Sequence, residues 1–132
     1  MMRYLLDANV LIELINNRDS EPAKRARLEH PSDLAISAIV AHELFYGAYR
    51  SARVEQNLAL IDVLQFPLLS FDTQDARRAA EIRALLMSQG ASIGAYDVLI
   101  AGQALSRNMI LVTHNTREFT RVPGLRVEDW PL

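Results

Sequence analysis

Cysteine is absent from all 132 residues, so neither a disulfide framework nor a thiolate metal site is open to this chain. The absence also fits a reducing compartment. Lysine is nearly missing: Lys24 is the single lysine among 14 basic residues, and the others are arginine. GC-rich coding accounts for that usage as readily as function does. A guanidinium, however, grips phosphate with two parallel hydrogen bonds where an ammonium cannot. Neither sign of charge dominates. The 16 acids and 14 bases leave a net charge of −2, which does not fit a protein coated in nucleic acid. No apolar run approaches the roughly 20 residues that span a bilayer. The first apolar stretch, over 4–15, is interrupted by Asp7 and has little charge before it, so it reads neither as a membrane span nor as a secretory leader. A cytoplasmic protein with no membrane attachment is the expectation. Glycine and proline number 5 each, and no repeat, linker or low-complexity tract divides the chain. Apolar residues fill 50% of positions, enough for the core of one domain over 1–132.

Apolar segments of two periods alternate along the chain. Residues 3–7 read as a strand and 9–16 as a helix. Pro22 suits the first turn of a short helix in RDSEPAKRARLEH. LAIS at 34–37 reads as a second strand. A helix in AIVAHELFYGAYR follows, and VEQNLALIDVL carries Leu58, Ile61 and Leu64 at helical spacing. FPLLSF at 66–71 reads as a third strand. TQDARRAAEIRALLMSQG is a helix, with Thr73 as its N-cap and Gly90 just past its end. A helix over about 95–107 precedes MILVT at 109–113, the clearest strand; NTREF opens a last short helix, and LRVEDW ends in a strand near 125–128. Strands alternating with helices predict an α/β fold, with a central parallel sheet of about five strands and helices on both faces. Wholly apolar strands such as MILV agree, because a sheet covered on both sides has no wet face.

This layout gives the acids a common address. In an open α/β sheet, ligands bind beyond the carboxyl ends of the strands, and the N-termini of the connecting helices lie at the same edge. Asp7 ends strand one. Glu43 lies about one turn into the helix after strand two, and Asp97 in the first turn of the helix before MILVT. Thr113 and Asn115 follow that strand directly. Each residue has an ordinary reading of its own: Asp7 as a helix cap, Glu43 as a solvated helix residue, Asp97 as a partner of the helix dipole, Thr113 and Asn115 as turn residues. Their convergence is what favours chemistry. Two unit charges about 4 Å apart repel by roughly 4 kcal/mol at an effective dielectric near 20. Three such pairs approach the whole stability of a domain, about 5–15 kcal/mol. Either some of the acids carry protons or a cation lies among them. An all-oxygen donor set suits Mg²⁺ or Mn²⁺ rather than Zn²⁺, and points to metal-assisted hydrolysis of a phosphodiester.

The same segments carry a family resemblance over nearly the full length. LLDANVLIELIN, ISAIVAHELFYGA and, most specifically, IGAYDVLIAGQALSRNMILVTHNTREFTRVPGLRVEDW resemble the PIN-domain ribonucleases, and within them the VapC-type toxins of toxin–antitoxin pairs. The resemblance implies a single PIN-like domain with an acidic pocket at the carboxyl edge of its sheet. It carries catalytic or metal-ligand roles onto Asp7, Glu43 and Asp97, a fourth site position onto Asn115, and a pocket-lining hydroxyl onto Thr113. It implies Mg²⁺- or Mn²⁺-dependent cleavage of RNA, typically tRNA and often the initiator tRNA anticodon loop, which stops translation. It also implies a VapB-type antitoxin that blocks the site, a homodimer, and a higher toxin–antitoxin assembly. Two positions depart from the common pattern: Ala8 stands where Thr is usual, and Tyr96 precedes Asp97. Neither removes a charge.

An acidic pocket repels RNA, so arginines around it are needed to hold the substrate. Arg50, Arg53, Arg107, Arg117 and Arg121 flank the site segments and are the rim candidates. Asn9, in the opening turn, is a further substrate-binding candidate. His114 reads as substrate-facing or simply exposed, and Glu118 as a supporting carboxylate or a solvated helix residue. Tyr46, Tyr49 and Tyr96 are open to stacking on loop bases or to core packing. The helices over 39–64 hold more apolar surface than one small sheet needs, which predicts a dimer seam or an antitoxin groove. Competing classes fit less well. A phosphatase with an aspartyl nucleophile needs a second Asp where Asn9 stands, and a receiver domain needs a lysine after a late strand. A catalytically silent RNA- or protein-binding PIN module is the remaining alternative, against which the three intact acids argue.

Overall fold

The computed structural model describes residues 3–131. Its strands are short, and the three central ones are fully buried, which fits a sheet covered on both faces. The chain runs β1 (Tyr4–Leu6), α1 (Ala8–Asn16), α2 (Glu21–Arg27), a 3-10 turn (Pro31–Asp33), β2 (Leu34–Ser37), α3 (Ala38–Arg50), α4 (Val54–Val63) and β3 (Leu68–Leu69). It continues through α5 (Thr73–Ser88), α6 (Ala95–Ser106), β4 (Ile110–Val112), α7 (Thr116–Phe119) and β5 (Val127–Glu128). The five strands lie in the order β3-β2-β1-β4-β5, and every pairing is parallel. The expected α/β architecture is thus the one observed. From the central β1 the chain moves outward through β2 and β3, then returns to lay β4 on the other side. The order therefore reverses between β1 and β4, where Leu6 faces Val112, and a crevice opens beyond their carboxyl ends.

Several boundaries differ from those read in the sequence, each for a local reason. The third strand shrinks from 66–71 to Leu68–Leu69: Pro67 has no N–H to give to the ladder, and only its carbonyl serves, accepting from Ile36 N at 2.9 Å. The N-cap of α5 is Asp72, not Thr73. Asp72 accepts from Asp75 N at 3.0 Å and Asp75 accepts from Asp72 N at 3.0 Å, a reciprocal box that Thr73 cannot build because Ala76 stands three residues after it. Gly90 does sit past the end of α5 with φ +64°, the left-handed backbone that ends many helices. Ser20 caps α2 and places Pro22 in its first turn. At the C-terminal end, Trp130 meets the edge of Tyr4 with 5.4 Å between ring centroids. The Arg25 guanidinium lies over both rings and pairs with Glu29.

Helices α5 and α6 pack so closely that a Cβ at Gly102 would stand 2.6 Å from N, Cα and Cβ of Ala79. Gly102→Ala is therefore expected to lower stability by about 1–3 kcal/mol through overpacking, read as a drop in the thermal midpoint. Adding Ala79→Gly will not restore it, because the clash includes the Ala79 backbone. In contrast, α4 contributes no fully buried residue: Leu58, Ile61 and Leu64 are half-buried, while Leu60 and Val63 are exposed. No helix among the described residues is long and apolar enough to cross a membrane.

Candidate active site

Asp7 interrupts the apolar opening segment because it ends β1 and caps α1 at once. Its side chain is 6% exposed, and each oxygen has a partner: Oδ1 accepts from Ala8 N at 2.8 Å, and Oδ2 accepts from the Thr113 hydroxyl at 2.7 Å. Buried Thr113 is the hub of the crevice. Besides donating to Asp7, its Oγ1 accepts from Asn115 N at 3.0 Å and from Asn9 Nδ2 at 3.5 Å, the latter a long contact. That uses the one donor and two acceptor positions a hydroxyl has. Asn9 Oδ1 accepts from His114 N at 3.2 Å, so α1 and the turn after β4 are tied together twice. His114 turns its Nδ1 to Asp129, 2.7 Å away.

Glu43 enters from the second turn of α3, and Asp97 from the first turn of α6. Both are half-buried. The Asp97 carboxylate folds back toward Gly94, where a Cβ would lie 3.0 Å from Oδ2. Burial pushes Asp97 up to about 6; its hydrogen bond with Glu118 and the charges of Asp7, Glu118 and Glu43 push the same way. Glu43 is raised as well, first by burial and then by Asp7, with His42 pulling it back. The four acids Asp7, Glu43, Asp97 and Glu118 therefore share one electrostatic neighbourhood, where Glu118 joins the three that the placement along the chain points to. Glu118 Oε2 also accepts from Asn115 Nδ2 at 3.2 Å, which makes Glu118 the support for both Asp97 and Asn115.

The donor set suits a hard cation. Glu43 Oε1 is buried without a hydrogen-bond partner, a position that is unfavourable unless something positive approaches it. The nearby side chains are carboxylates, an amide and a hydroxyl, which is oxygen chemistry of the Mg²⁺ or Mn²⁺ kind. Among the described residues no group of three His, Asp or Glu side chains is arranged to hold a metal ion. Mg²⁺ does not require one, since it usually keeps several waters and is held by one or two carboxylates together with substrate phosphate.

The arginines divide. Arg117 is exposed on α7 beside Glu118, and Arg121 donates to Ser92 O at 3.1 Å in the loop that leads into α6. Arg50 lies at the far end of α3, its guanidinium 5.4 Å from the centre of the Tyr46 ring, and Arg53 is exposed where α4 begins. Arg107 is not on the rim. It caps the C-terminal end of α6, the end opposite Asp97, and its guanidinium holds Asp75 at 3.0 Å and Ser70 O at 2.7 Å. Asp75 itself is completely buried and also takes hydrogen bonds from Ser106 Oγ at 2.6 Å and Gln103 Nε2 at 3.2 Å. The sequence reading missed this buried ion pair. Its signal, an acid three residues after a capping Asp, was present in FDTQD but points to a helix start, not to an arginine 32 positions away.

Against this geometry, known proteins give consistent matches. The PIN domain family matches residues 4–125. The tRNA(fMet)-specific endonuclease VapC of Salmonella typhimurium is 42% identical over 98% of this chain and 99% of its own length. Ribonuclease VapC2 of Haemophilus influenzae is 37% identical over the same shares. Among solved structures, DNA-bound VapBC from Salmonella typhimurium superposes with a TM-score of 0.94 at 41% identity, covering 99% of this chain and 100% of that one. VapBC2 from Rickettsia felis, bound to a promoter DNA fragment, gives 0.91 at 33% identity, covering 98% and 100%. With sequence and overall fold in agreement from end to end, this chain belongs to the PIN-domain family, in its VapC-type branch.

Proposed function

We propose that the chain acts as one domain over 1–132 that hydrolyses RNA phosphodiesters as a divalent-metal-dependent endoribonuclease toxin. The observation that carries the reading is the convergence of Asp7, Glu43, Asp97 and Glu118 at the strand-order reversal, with an unpartnered oxygen on Glu43. The curated relatives named as endonuclease and ribonuclease support the reaction class, and the tRNA(fMet)-specific one supports tRNA as substrate. Asp7, Asp97 and Glu43 would hold Mg²⁺ or Mn²⁺. Such an ion, when bound, supplies charge stabilisation at the phosphate and a lower pKa for water.

The chain's own groups do the rest. Thr113 fixes the orientation of Asp7 through its hydroxyl, and Glu118 orients the Asn115 amide. The N-terminus of α6, whose first turn carries Asp97, adds a favourable dipole for negative charge beside that acid. Asn9, Arg117 and Arg50 would contact the substrate. By analogy with the VapBC neighbours, a VapB-type antitoxin in the same cytoplasm is the partner. A groove of about 260 Å³ between α1, α3 and α4, lined by Ile12, Ile15, Leu44, Leu60 and Ile61 with Glu43 at one end, offers it an apolar seat that reaches the acids.

The test uses antitoxin-free protein, total tRNA and added Mg²⁺ or Mn²⁺, with and without chelator. Cleavage that appears with metal and disappears with chelator is the expected result. RNA binding with no cleavage under any metal would instead support a silent binding module.

A further inference from the structure

We propose that Asp129 is a positioning residue for the crevice: it grips the His114 ring and so fixes the turn over 113–115 that orients Asp7. This rests on the nuclease reading above and extends its machinery to the segment after β5. Thr113, His114 and Asn115 join β4 to α7, and each makes a bond the crevice depends on. Thr113 Oγ1 donates to Asp7 Oδ2 at 2.7 Å, His114 N donates to Asn9 Oδ1 at 3.2 Å, and Asn115 Nδ2 donates to Glu118 Oε2 at 3.2 Å. The middle residue of that turn has a single side-chain anchor. His114 Nδ1 lies 2.7 Å from Asp129 Oδ1, and an ionised carboxylate only accepts, so the hydrogen of this bond is on Nδ1. Nε2 is buried, and among the described residues it has no hydrogen-bond partner. Asp129 is therefore the polar group that sets the direction of the ring.

Asp129 is itself a fixed post. β5 has only two residues, and a chain end of that kind frays unless it is tied down. Here it is tied on both sides of Asp129. Before it, the Glu128 carbonyl accepts from Thr113 N at 3.0 Å. After it, Trp130 is 4% exposed, packed against Tyr4 with the Arg25 guanidinium 5.0 Å from its ring, and its Nε1 donates to Glu128 Oε1 at 3.1 Å. The Asp129 and His114 side chains keep 40% and 23% of their exposure, so the pair lies at the surface, outside the apolar core. Removing the Asp129 carboxylate should therefore loosen the turn without unfolding the domain. Groups that stand behind a metal ligand hold its geometry, and losing one commonly lowers metal affinity or activity about 10- to 100-fold. Asp129 stands behind the Thr113 turn, which stands behind Asp7, so the low end of that range is expected.

The experiment compares wild type with Asp129→Ala, Asp129→Asn, His114→Phe and the double variant Asp129→Ala/His114→Phe, all antitoxin-free. The first readout needs neither metal nor substrate: amide hydrogen exchange by NMR at His114 and Asn115, with Leu111 in β4 as the control. The second is the Mg²⁺ concentration that gives half the maximal rate on total tRNA. Asp129→Ala should cut protection at His114 and Asn115 about 10-fold, leave Leu111 unchanged and raise the Mg²⁺ requirement about 10-fold. Asp129→Asn should keep wild-type values, because an amide oxygen still accepts from Nδ1. His114→Phe should match Asp129→Ala, and the double variant should be no worse than either, because the two residues act as one unit. Protection unmoved in Asp129→Ala would overturn the proposal. So would an equal fall at all three amides, which marks general destabilisation, or effects that add in the double variant. If wild type fails to cleave under any metal, the nuclease reading fails instead, and the exchange data alone then decide whether Asp129 holds the turn.

Discussion

Asp97→Asn is expected to abolish metal-dependent cleavage while making the metal-free protein more stable. Asparagine keeps the shape of the side chain and removes its charge, so the crevice loses one of the three acids proposed to hold the cation. A loss of about 4 kcal/mol of transition-state stabilisation corresponds to about a thousandfold in rate. The stability effect has the opposite sign. Burial, Glu118 and the neighbouring charges raise Asp97 from the ordinary 3.8 to about 6 in the folded protein. Between those values the folded state binds more protons than the unfolded chain. The contribution is fully present below the unfolded value and is lost as pH rises through about 6. At pH 7.5 the ionised Asp97 is a liability that asparagine removes. Because the group is only half-buried, the gain is discounted to about 1 kcal/mol, or about 3 °C in thermal midpoint. Calorimetry on metal-free protein checks the sign, and initial rates on tRNA check the loss. Mg²⁺ should raise the midpoint of wild type and leave that of Asp97→Asn nearly unchanged. A variant both less stable and still active would sink the assignment.

The second large effect lies at the other end of α6. Arg107→Ala is expected to destabilise the fold by about 3 kcal/mol, roughly 10 °C, without removing cleavage at temperatures where the variant remains folded. The reason is what it leaves behind. Asp75 has no solvent access, and burial alone would raise its pKa. Hydrogen bonds from Arg107, Ser106 and the Asp72 backbone, with the Arg107 charge, outweigh burial and hold it at about 2. Without the guanidinium a buried carboxylate keeps its desolvation penalty and loses its main compensation. The depressed pKa contributes about 2 kcal/mol of stability above the ordinary value, lost as pH falls through about 2. Acid titration of unfolding in wild type and Arg107→Ala tests this directly: the wild-type slope in that window should flatten in the variant. Combining Arg107→Ala with Asp75→Asn should be less harmful than the sum of the two, because the second change removes the charge that the first leaves unpaired.

Local rules made much of the molecule legible from its sequence. Apolar runs such as MILV, with no polar alternation, signal a sheet buried on both faces, and Gly90 marks the end of α5 because only glycine takes φ +64° without strain. The carboxyl-edge rule placed Asp7, Glu43, Asp97, Thr113 and Asn115 near one another, since strand ends and helix starts alternate in order along the chain. Folding in three dimensions decided what local order does not encode. Arg107 reads as a rim cation and nothing in the sequence marks Asp75 out, yet the two, 32 positions apart, close on each other inside the packed α5–α6 pair. The Thr113–Asp7 hydrogen bond joins residues 106 positions apart and exists only because β1 and β4 are neighbours. Whether Tyr46 and Tyr49 are core or surface was also beyond the sequence, because α3 is apolar on more than one side and only the packing of its neighbours chooses which side is covered. Sequence determines which segments become strand or helix and at which edge their ends lie. The long-range pairing of charges, and the choice of exposed face, belong to the tertiary structure, because those energies arise only when distant segments exclude water between them.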